Sequence, residues 1–252
     1  MRKTFVILIA LAMLTMGWAS ARTVKVLVLT GNVHDVIFPV ISKFTKVNGD
    51  TVEYTKTKDR ALPDLDKYDI LWIAQGEICE NAYFFNEDIE NTIKSFVENG
   101  GIVISIGQDS DGGRPCESGW LPVPLLGVER GGTETFQPTG AKEADGLFDT
   151  PNNLNNKAHF DDAWTQPPKE IIVLATINNG QDLGVGLLPY GKGFYVVTSL
   201  ENESAGDIAT NTPIVENLIH YAVGYLLPMT LAVDVDEKLP VLWGGIKERL
   251  QR

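Results

Sequence analysis

Residues 24–35 read VKVLVLTGNVHD, an apolar run that breaks directly into a polar loop. The run from 24 to 30 predicts a buried strand. The loop that follows brings Asn32, His34 and Asp35 to the end of that strand. In a parallel α/β sheet, ligands bind at the carboxyl ends of the strands. This stretch therefore predicts the fold class and places a first group of candidate site residues.

Apolar strands alternate with helical patterns along the first half of the chain. Strands are predicted at 24–30, 51–55, 70–74 and 102–106. A first helix is expected to end near the pair Asn48-Gly49, with Pro39 in its first turn. A second is expected to begin after the cap residue Asn86 and to end near Asn99. This order predicts a flavodoxin-like, three-layer α/β sandwich with a mostly parallel central sheet.

The second half changes character after the fourth strand. Residues 108–166 are rich in Gly, Pro, Asn and Asp, which predicts a long irregular excursion. A strand at 171–176 and a hairpin of 184–188 with 194–199 follow. A last helix is expected from Thr212-Pro213 to about Leu226, with Pro228 ending it. We expect one domain over 22–228 and a C-terminal tail over 229–252, in which Trp243 docks on the domain or on another component.

The first 21 residues have the pattern of an export signal. Arg2 and Lys3 precede an apolar core at 5–14, and Ala19-Ser20-Ala21 forms an A-x-A cleavage site. Cleavage after Ala21 starts the mature chain at Arg22. The alternative is an anchor that is never cleaved, but the apolar core is short for a bilayer span. We expect an exported protein, periplasmic or extracellular.

The charge balance excludes several classes of partner. The chain has 21 basic and 33 acidic residues, a formal net charge of −12. So acidic a protein is poorly suited to nucleic acid or to anionic membrane surfaces. We therefore expect a small-molecule ligand as the partner, with no nucleic acid and no membrane binding after signal cleavage.

Two cysteines, Cys79 and Cys116, each follow a predicted strand by a few residues. In an oxidising compartment an even count is compatible with one disulfide, which makes this pair the disulfide candidate. The alternative is two unpaired thiols. A reactive nucleophile is disfavoured, because neither cysteine has a histidine nearby in the sequence.

Five ordered segments resemble the ThuA-like family, a branch of the class I glutamine amidotransferase-like fold. They are VLVLTGNVHD, YDILWIAQGE, FVENGGIVISIG, GKGFYVVTSL and ENLIHYAVGYL, and together they span most of 24–227. The resemblance implies a site above the carboxyl ends of the strands. It also implies a link to sugar utilisation, in a family whose activity is poorly defined.

The catalytic positions of true amidotransferases are not retained. The resemblance implies a tight turn after the fourth strand, called the elbow, that carries the nucleophilic Cys. This chain has residues 103–107 at that place, with Ser105 at the Cys position. The resemblance also places a His-x-Glu pair where this chain has 199–203. Ser105 has no adjacent base and is interpreted as a buried strand serine that bonds locally. Among the histidines expected from ThuA-like proteins, only His34 has an equivalent.

The edge loops together supply acids, amides and one imidazole. Such groups suit hydroxyl-rich ligands, with Trp72, Trp120 or Trp164 as possible ring faces, although core packing is preferred for Trp72. His159, in the excursion, is a candidate to close over the site. The loop residues are Asn32, His34, Asp35, Gln75, Glu77, Gln108, Asp109, Asp111, Glu201, Asn202 and Glu203.

Residues 109–113 read DSDGG, a fragment of a calcium loop that lacks the third acid and the distal Glu. A solvated loop is favoured there, so no metal or other cofactor is assigned.

Three functions are consistent with these residues. The first is an exported domain that binds a small, carbohydrate-related ligand without glutaminase activity, with Asn32, Gln75, Glu77, Gln108, Asp109, Glu201 and Asn202 as ligand-binding candidates. The second is a sugar-processing hydrolase or isomerase that uses His34 with the acids Asp35, Glu77 or Asp109, where His34 is a general base and Asp35 its orienting carboxylate. The alternative for His34 and Asp35 is a helix start, with Asp35 capping the first turn. The third is a non-catalytic envelope interaction module.

Overall fold

A mixed sheet forms the centre of the fold, as seen in a computed structural model that describes residues 21–30, 37–58, 62–74, 85–107, 116–202 and 204–235. The strands are β1 Thr23–Leu29, β2 Lys46–Val47, β3 Asp50–Thr57, β4 Ile70–Ile73, β5 Ile102–Ser105, β6 Cys116–Glu117, β7 Leu126–Val128, β8 Thr133–Thr135, β9 Gln137–Pro138, β10 Lys157–Phe160, β11 Ala163–Thr165, β12 Ile172–Ile177, β13 Asp182–Tyr190 and β14 Gly193–Thr198. The helices are α1 Phe38–Ile41, α2 Glu87–Glu98, α3 Ala205–Tyr221 and α4 Leu227–Val235, with a π-helical turn Ala222–Leu226 between the last two. Short 3₁₀ turns lie at Leu65–Lys67, Lys142–Ala144 and Asn178–Gly180.

The five central strands are parallel and lie in the order β3-β1-β4-β5-β14. Val28, Trp72 and Ile104 lie side by side on neighbouring strands. Beyond β14 the sheet continues with antiparallel β13, β11, β7 and β6. The predicted mostly parallel α/β fold is therefore confirmed in its central sheet.

Helices cover both faces of this sheet, which makes three layers. Val24, Val26 and Val28 of β1 belong to the core that α3 closes. Leu27 and Leu29, on the opposite face, belong to the core that includes α2. The strand is apolar at successive positions because both of its faces are buried.

Helix α2 begins and ends where its sequence predicts. The Asn86 side chain caps it by accepting a hydrogen bond from the Ile89 backbone N–H at 2.9 Å. Three acids, Glu87, Asp88 and Glu90, occupy its first turn, where they favourably meet the positive end of the helix dipole.

The first helix is much shorter than predicted. It ends at Ile41, and Asn48-Gly49 forms the turn of the β2–β3 hairpin instead of a helix stop. Both turn residues have positive φ, 50° and 93°. An Asn-Gly pair adopts these angles readily in a two-residue hairpin turn. The same pair is also common just after the end of a helix, so the sequence fits both structures.

The last helix starts earlier and ends later than predicted. It begins after Ser204, whose side chain forms a capping box with Asp207, and Pro213 lies inside it. Pro228 does not end the helical segment, which continues to Val235. The π-helical turn before Pro228 changes the hydrogen-bond spacing at the point where proline lacks an N–H. Residues 229–235 of the expected tail are therefore helical.

The excursion is more regular than its composition predicts. Its described part supplies β6, β7, β9 and β11 to the main sheet and forms a separate β8–β10 pair. In the described ranges, no helix is both long enough and apolar enough to cross a membrane.

Candidate functional site

The carboxyl ends of the central strands form one continuous edge. The Ala74 N–H donates to the Leu29 carbonyl at 2.9 Å, and the Ile106 N–H donates to the Ile73 carbonyl at 3.0 Å. The Thr30 N–H likewise donates to the Thr57 carbonyl at 2.9 Å. Backbone pairing thus continues one residue past β1, β4 and β5. The carboxyl ends of these three strands are therefore aligned with one another.

Four buried side-chain polar atoms in the described part of the chain have no hydrogen-bond partner. All four belong to residues at or near this edge: Thr30 Oγ1, Trp72 Nε1, Ser105 Oγ and Asn202 Oδ1. None of these residues is more than 1% exposed. A buried polar group left unpaired costs about 1–3 kcal/mol, so these four atoms lower the stability of this edge.

These four groups, called the edge floor below, are distributed over both faces of the sheet. Trp72 belongs to the core on the α3 face, and Thr30 follows Val28 by two residues on that same face. Ser105 lies beside Ile73 on the opposite face. The Asn202 amide N–H reaches the Ala74 carbonyl at 3.4 Å, which places its oxygen at the end of β4.

The chemistry of the edge floor is polar and uncharged. The two hydroxyls can both donate and accept, the indole N–H can only donate, and the amide oxygen can only accept. This combination matches the hydroxyl groups of a sugar or polyol, which also donate and accept.

Asn211 of α3 joins the excursion to this edge. Its side-chain oxygen accepts from the His159 N–H at 2.7 Å, and its amide group donates to the carbonyls of His159 at 2.8 Å and Glu201 at 2.6 Å. The Glu201 N–H also donates to the His159 carbonyl at 3.1 Å. Strand β10 is therefore held directly against the segment that carries Asn202.

The imidazole of His159 is oriented by a carboxylate. Its Nδ1 lies 2.9 Å from Glu134 Oε1 across the β8–β10 pair. The His159 side chain is 25% exposed and that of Glu134 is 66% exposed, so this contact is open to water. The arrangement fixes which imidazole nitrogen faces the carboxylate.

The structure brings together only some of the predicted site residues. Glu201 is half-buried and Asn202 is buried, and both lie beside His159 at the edge. Cys116 lies in β6, and nothing is described of its side chain. The remaining candidates lie outside the described residues: Asn32, His34, Asp35, Gln75, Glu77, Cys79, Gln108, Asp109, Asp111, Glu203, Trp243, most of the export signal and the DSDGG fragment.

The three tryptophans offered as ring faces are core residues. Trp72 and Trp164 are fully buried and Trp120 is 3% exposed. The Trp164 indole N–H donates to the Thr198 carbonyl at 3.0 Å, and Trp120 packs against Tyr195. Stacking of a ligand on these rings is therefore excluded, since their faces contact protein atoms.

Ser105 is buried in its strand as expected, but the expected local hydrogen bond is wrong. Its hydroxyl has no partner in the described part of the chain. The Thr198 hydroxyl donates to the Ser105 backbone carbonyl at 3.0 Å and does not contact the Ser105 hydroxyl.

Sequence reasoning missed Thr30 and Asn211 as site residues. Asn211 interrupts the apolar spacing of Ile208, Val215 and Leu218 on α3, and a polar residue inside a buried helical stripe is a detectable signal. Thr30 directly follows an apolar strand, which is a weaker signal because many strands end in threonine.

The comparisons with known proteins agree on the fold. No protein-family model and no curated protein matches the sequence. A solved ThuA-like protein from Parabacteroides merdae is 16% identical, with a TM-score of 0.50 over 81% of this chain and 90% of its own. The chain has a ThuA-like fold.

The same ThuA-like fold matches a cytoplasmic protein from Salmonella typhimurium at 13% identity. The TM-score is 0.51, over 81% of this chain and 99% of that one. It also matches the carbohydrate deacetylase Agd3 at 11% identity and a TM-score of 0.50, over 82% of this chain but 33% of that one. Identities this low establish the fold alone.

No group of three or more metal-binding side chains is found among the residues that the structure describes.

Substitution of Thr30 by valine is expected to stabilise the protein by about 1 kcal/mol, because it removes a buried hydroxyl that has no partner. Thr198 is the matched control: it is equally buried, but its hydroxyl is hydrogen-bonded. Thr198→Val should destabilise the protein by about 1–2 kcal/mol. Urea denaturation of both variants measures the difference, and a loss of stability in Thr30→Val contradicts the account of the edge floor.

Proposed function

We propose that this chain is an exported domain that binds a small, carbohydrate-related ligand at the carboxyl edge of its sheet and has no glutaminase activity. The single observation that carries the proposal is the unpartnered side-chain oxygen of Asn202 in the edge floor, at the end of β4. A ligand hydroxyl above the edge can donate to this oxygen, whereas Thr30 and Trp72 lie on one face of the sheet and Ser105 on the other.

The uncharged character of the edge floor supports a neutral ligand. A phosphate or carboxylate on the ligand requires cationic partners to offset its desolvation, and the edge floor has none. The acidic net charge of −12 also opposes an anionic ligand.

The comparisons support the same class of ligand in general terms. Agd3 is a carbohydrate deacetylase, and a β-galactosidase from Rahnella sp. R3 matches with a TM-score of 0.50 at 14% identity. This chain covers only 33% of each of those two proteins, so their activities are not transferred to it.

The residue at the elbow position supports the proposal that the chain has no glutaminase activity. Ser105 stands where the amidotransferase nucleophile is expected, and it is completely buried at the end of β5. A serine without an adjacent base is a poor nucleophile.

A binding measurement tests the proposal. The wild-type protein is titrated with neutral sugars, namely glucose, galactose, mannose and trehalose, alongside glucuronate and glucose 6-phosphate, by calorimetry and ligand-observed NMR. Asn202→Ala removes an acceptor from the edge floor and should weaken binding of the neutral sugar about tenfold. Asn91→Ala, which removes an exposed amide on α2, is the control and should bind normally. Binding of only the anionic sugars, or of none, sinks the proposal.

A sugar-processing hydrolase or isomerase is the second candidate, favoured by the oriented His159 imidazole. A carboxylate on Nδ1 leaves Nε2 as the nitrogen that acts as a base. Turnover of a bound sugar that is lost in His159→Ala or His34→Ala, with binding retained, selects this enzyme over the pure binding domain.

A further inference from the structure

Arg22 is fixed at the start of β1 by an unusually complete set of contacts. Its backbone N–H donates to Asp50 Oδ1 at 3.0 Å, and its Nε donates to Asp50 Oδ2 at 2.6 Å. Its Nη2 donates to the Val223 carbonyl in the π-helical turn at 2.8 Å. A single residue thus links the start of β1, β3 and the π-helical turn.

Asp50 is suited to hold positive charge at this position. Its side chain is 19% exposed. Burial disfavours the ionised form, but the backbone and side-chain hydrogen bonds from Arg22 and the guanidinium charge outweigh it, so the pKa of Asp50 is lowered. The carboxylate is ionised at neutral pH and uses both oxygens toward the same residue.

We propose that Asp50 is the docking site for the amino terminus created when the Ala21–Arg22 peptide bond is cleaved. The inference rests on the export part of the proposed function and is independent of the ligand. A signal peptidase hydrolyses this bond with one water, leaving a carboxylate on Ala21 and an ammonium group on Arg22. The nitrogen that becomes the ammonium already lies within hydrogen-bond distance of Asp50.

Cleavage adds a positive charge to the donor of a hydrogen bond whose acceptor, the Asp50 carboxylate, is already ionised. Before cleavage, the Arg22 nitrogen is an uncharged amide; after it, the same nitrogen and the guanidinium both present positive charge to Asp50. The attraction between the ammonium group and the carboxylate then adds to the existing hydrogen bond. Processing and folding are therefore coupled, since the mature chain strengthens a contact that the precursor makes only through an uncharged amide.

The contribution of the new terminus depends on pH with a definite sign. A carboxylate next to an ammonium group raises the pKa of that group above the ordinary α-amino value of about 7.7–8.0. Stability from this source is complete below the unfolded-state value and is lost as pH rises through the folded-state value. Lys46 on β2, Glu53 on β3 and Tyr225 in the π-helical turn also lie on the surrounding elements. These residues are present in every chain compared, so any effect of their titration cancels in the difference between two melting temperatures.

Two exported precursors test the inference. One is the wild type, and the other has a single serine inserted between Ala21 and Arg22, so that cleavage after Ala21 leaves the Arg22 nitrogen as an amide. Mass spectrometry of each purified protein identifies its first residue. Thermal melting from pH 6 to pH 10 then compares the two chains, each with and without Asp50→Asn.

The wild-type chain should begin at Arg22 and melt about 1–4 °C above the serine-extended chain at pH 6. The difference should shrink as pH rises toward 10 and should vanish when both chains carry Asp50→Asn. A mature chain that begins at another residue overturns the cleavage step at Ala21–Arg22, and a chain that keeps its first 21 residues overturns the proposed export. Equal melting temperatures at pH 6, or a difference that persists in Asp50→Asn, overturn the docking alone.

Discussion

Gly193→Ala is expected to destabilise the protein by about 3 kcal/mol or more. Gly193 opens β14, where the chain passes against the junction of α2 and β5. A Cβ at this position overlaps the backbone carbonyl oxygens of Gly101 and Val97. These atoms belong to buried backbone that cannot move without disturbing the parallel pairing of β14 with β5, so overpacking is severe. Urea denaturation measures the loss.

Gly131→Ala is the matched control for this prediction. No atom lies within 4 Å of the position that its Cβ takes, and its φ is not positive. The substitution should change stability by no more than about 1 kcal/mol, toward stabilisation, because alanine restricts the unfolded chain. Equal stability of Gly193→Ala and Gly131→Ala contradicts the close approach of Gly193 to the carbonyl oxygens of Gly101 and Val97.

Asn211→Leu is expected to cost about 3 kcal/mol and to release β10 from the edge of the sheet. The substitution leaves the His159 N–H and the Glu201 carbonyl without their partner in a part-buried site. Because this bond network positions the segment with Asn202, binding of the neutral sugar should also weaken. Hydrogen exchange at the His159 amide and the imidazole resonances of His159 report the release directly.

Asn217→Leu separates this local effect from general destabilisation. Asn217 is equally buried on α3, but its amide donates to the carbonyls of Leu147 at 3.0 Å and Asn152 at 2.8 Å, away from the edge. It should lose similar stability while the His159 amide stays protected in the folded state. Deprotection of His159 in both variants to the same extent contradicts the specific role of Asn211.

The central strands and helix α2 were predictable because their signals are local. A short run of apolar residues favours a strand that is buried on both faces, which is typical of parallel sheets. Asn86 and the acids after it specify a helix start through atoms only a few residues away. These predictions required no knowledge of distant contacts.

The prediction failed where a local pattern has two solutions. Asn48-Gly49 fits a helix stop and a hairpin turn equally well, and pairing of β2 with β3 decided between them. Pro228 normally ends a helix, yet packing of the segment around it keeps the chain helical to Val235. Both outcomes depend on tertiary contacts.

The sequence by itself determined the α/β class, the parallel strands at the centre and the edge where polar residues collect. The tertiary structure decided which polar residues near the edge lack hydrogen-bond partners and which are held by hydrogen bonds from distant parts of the chain. The Arg22 contacts to Asp50 and Val223 join residues 28 and 201 positions apart, and Asn211 reaches His159 across 52. Contacts over such separations follow from the packing of whole elements, because no local pattern of residues encodes them.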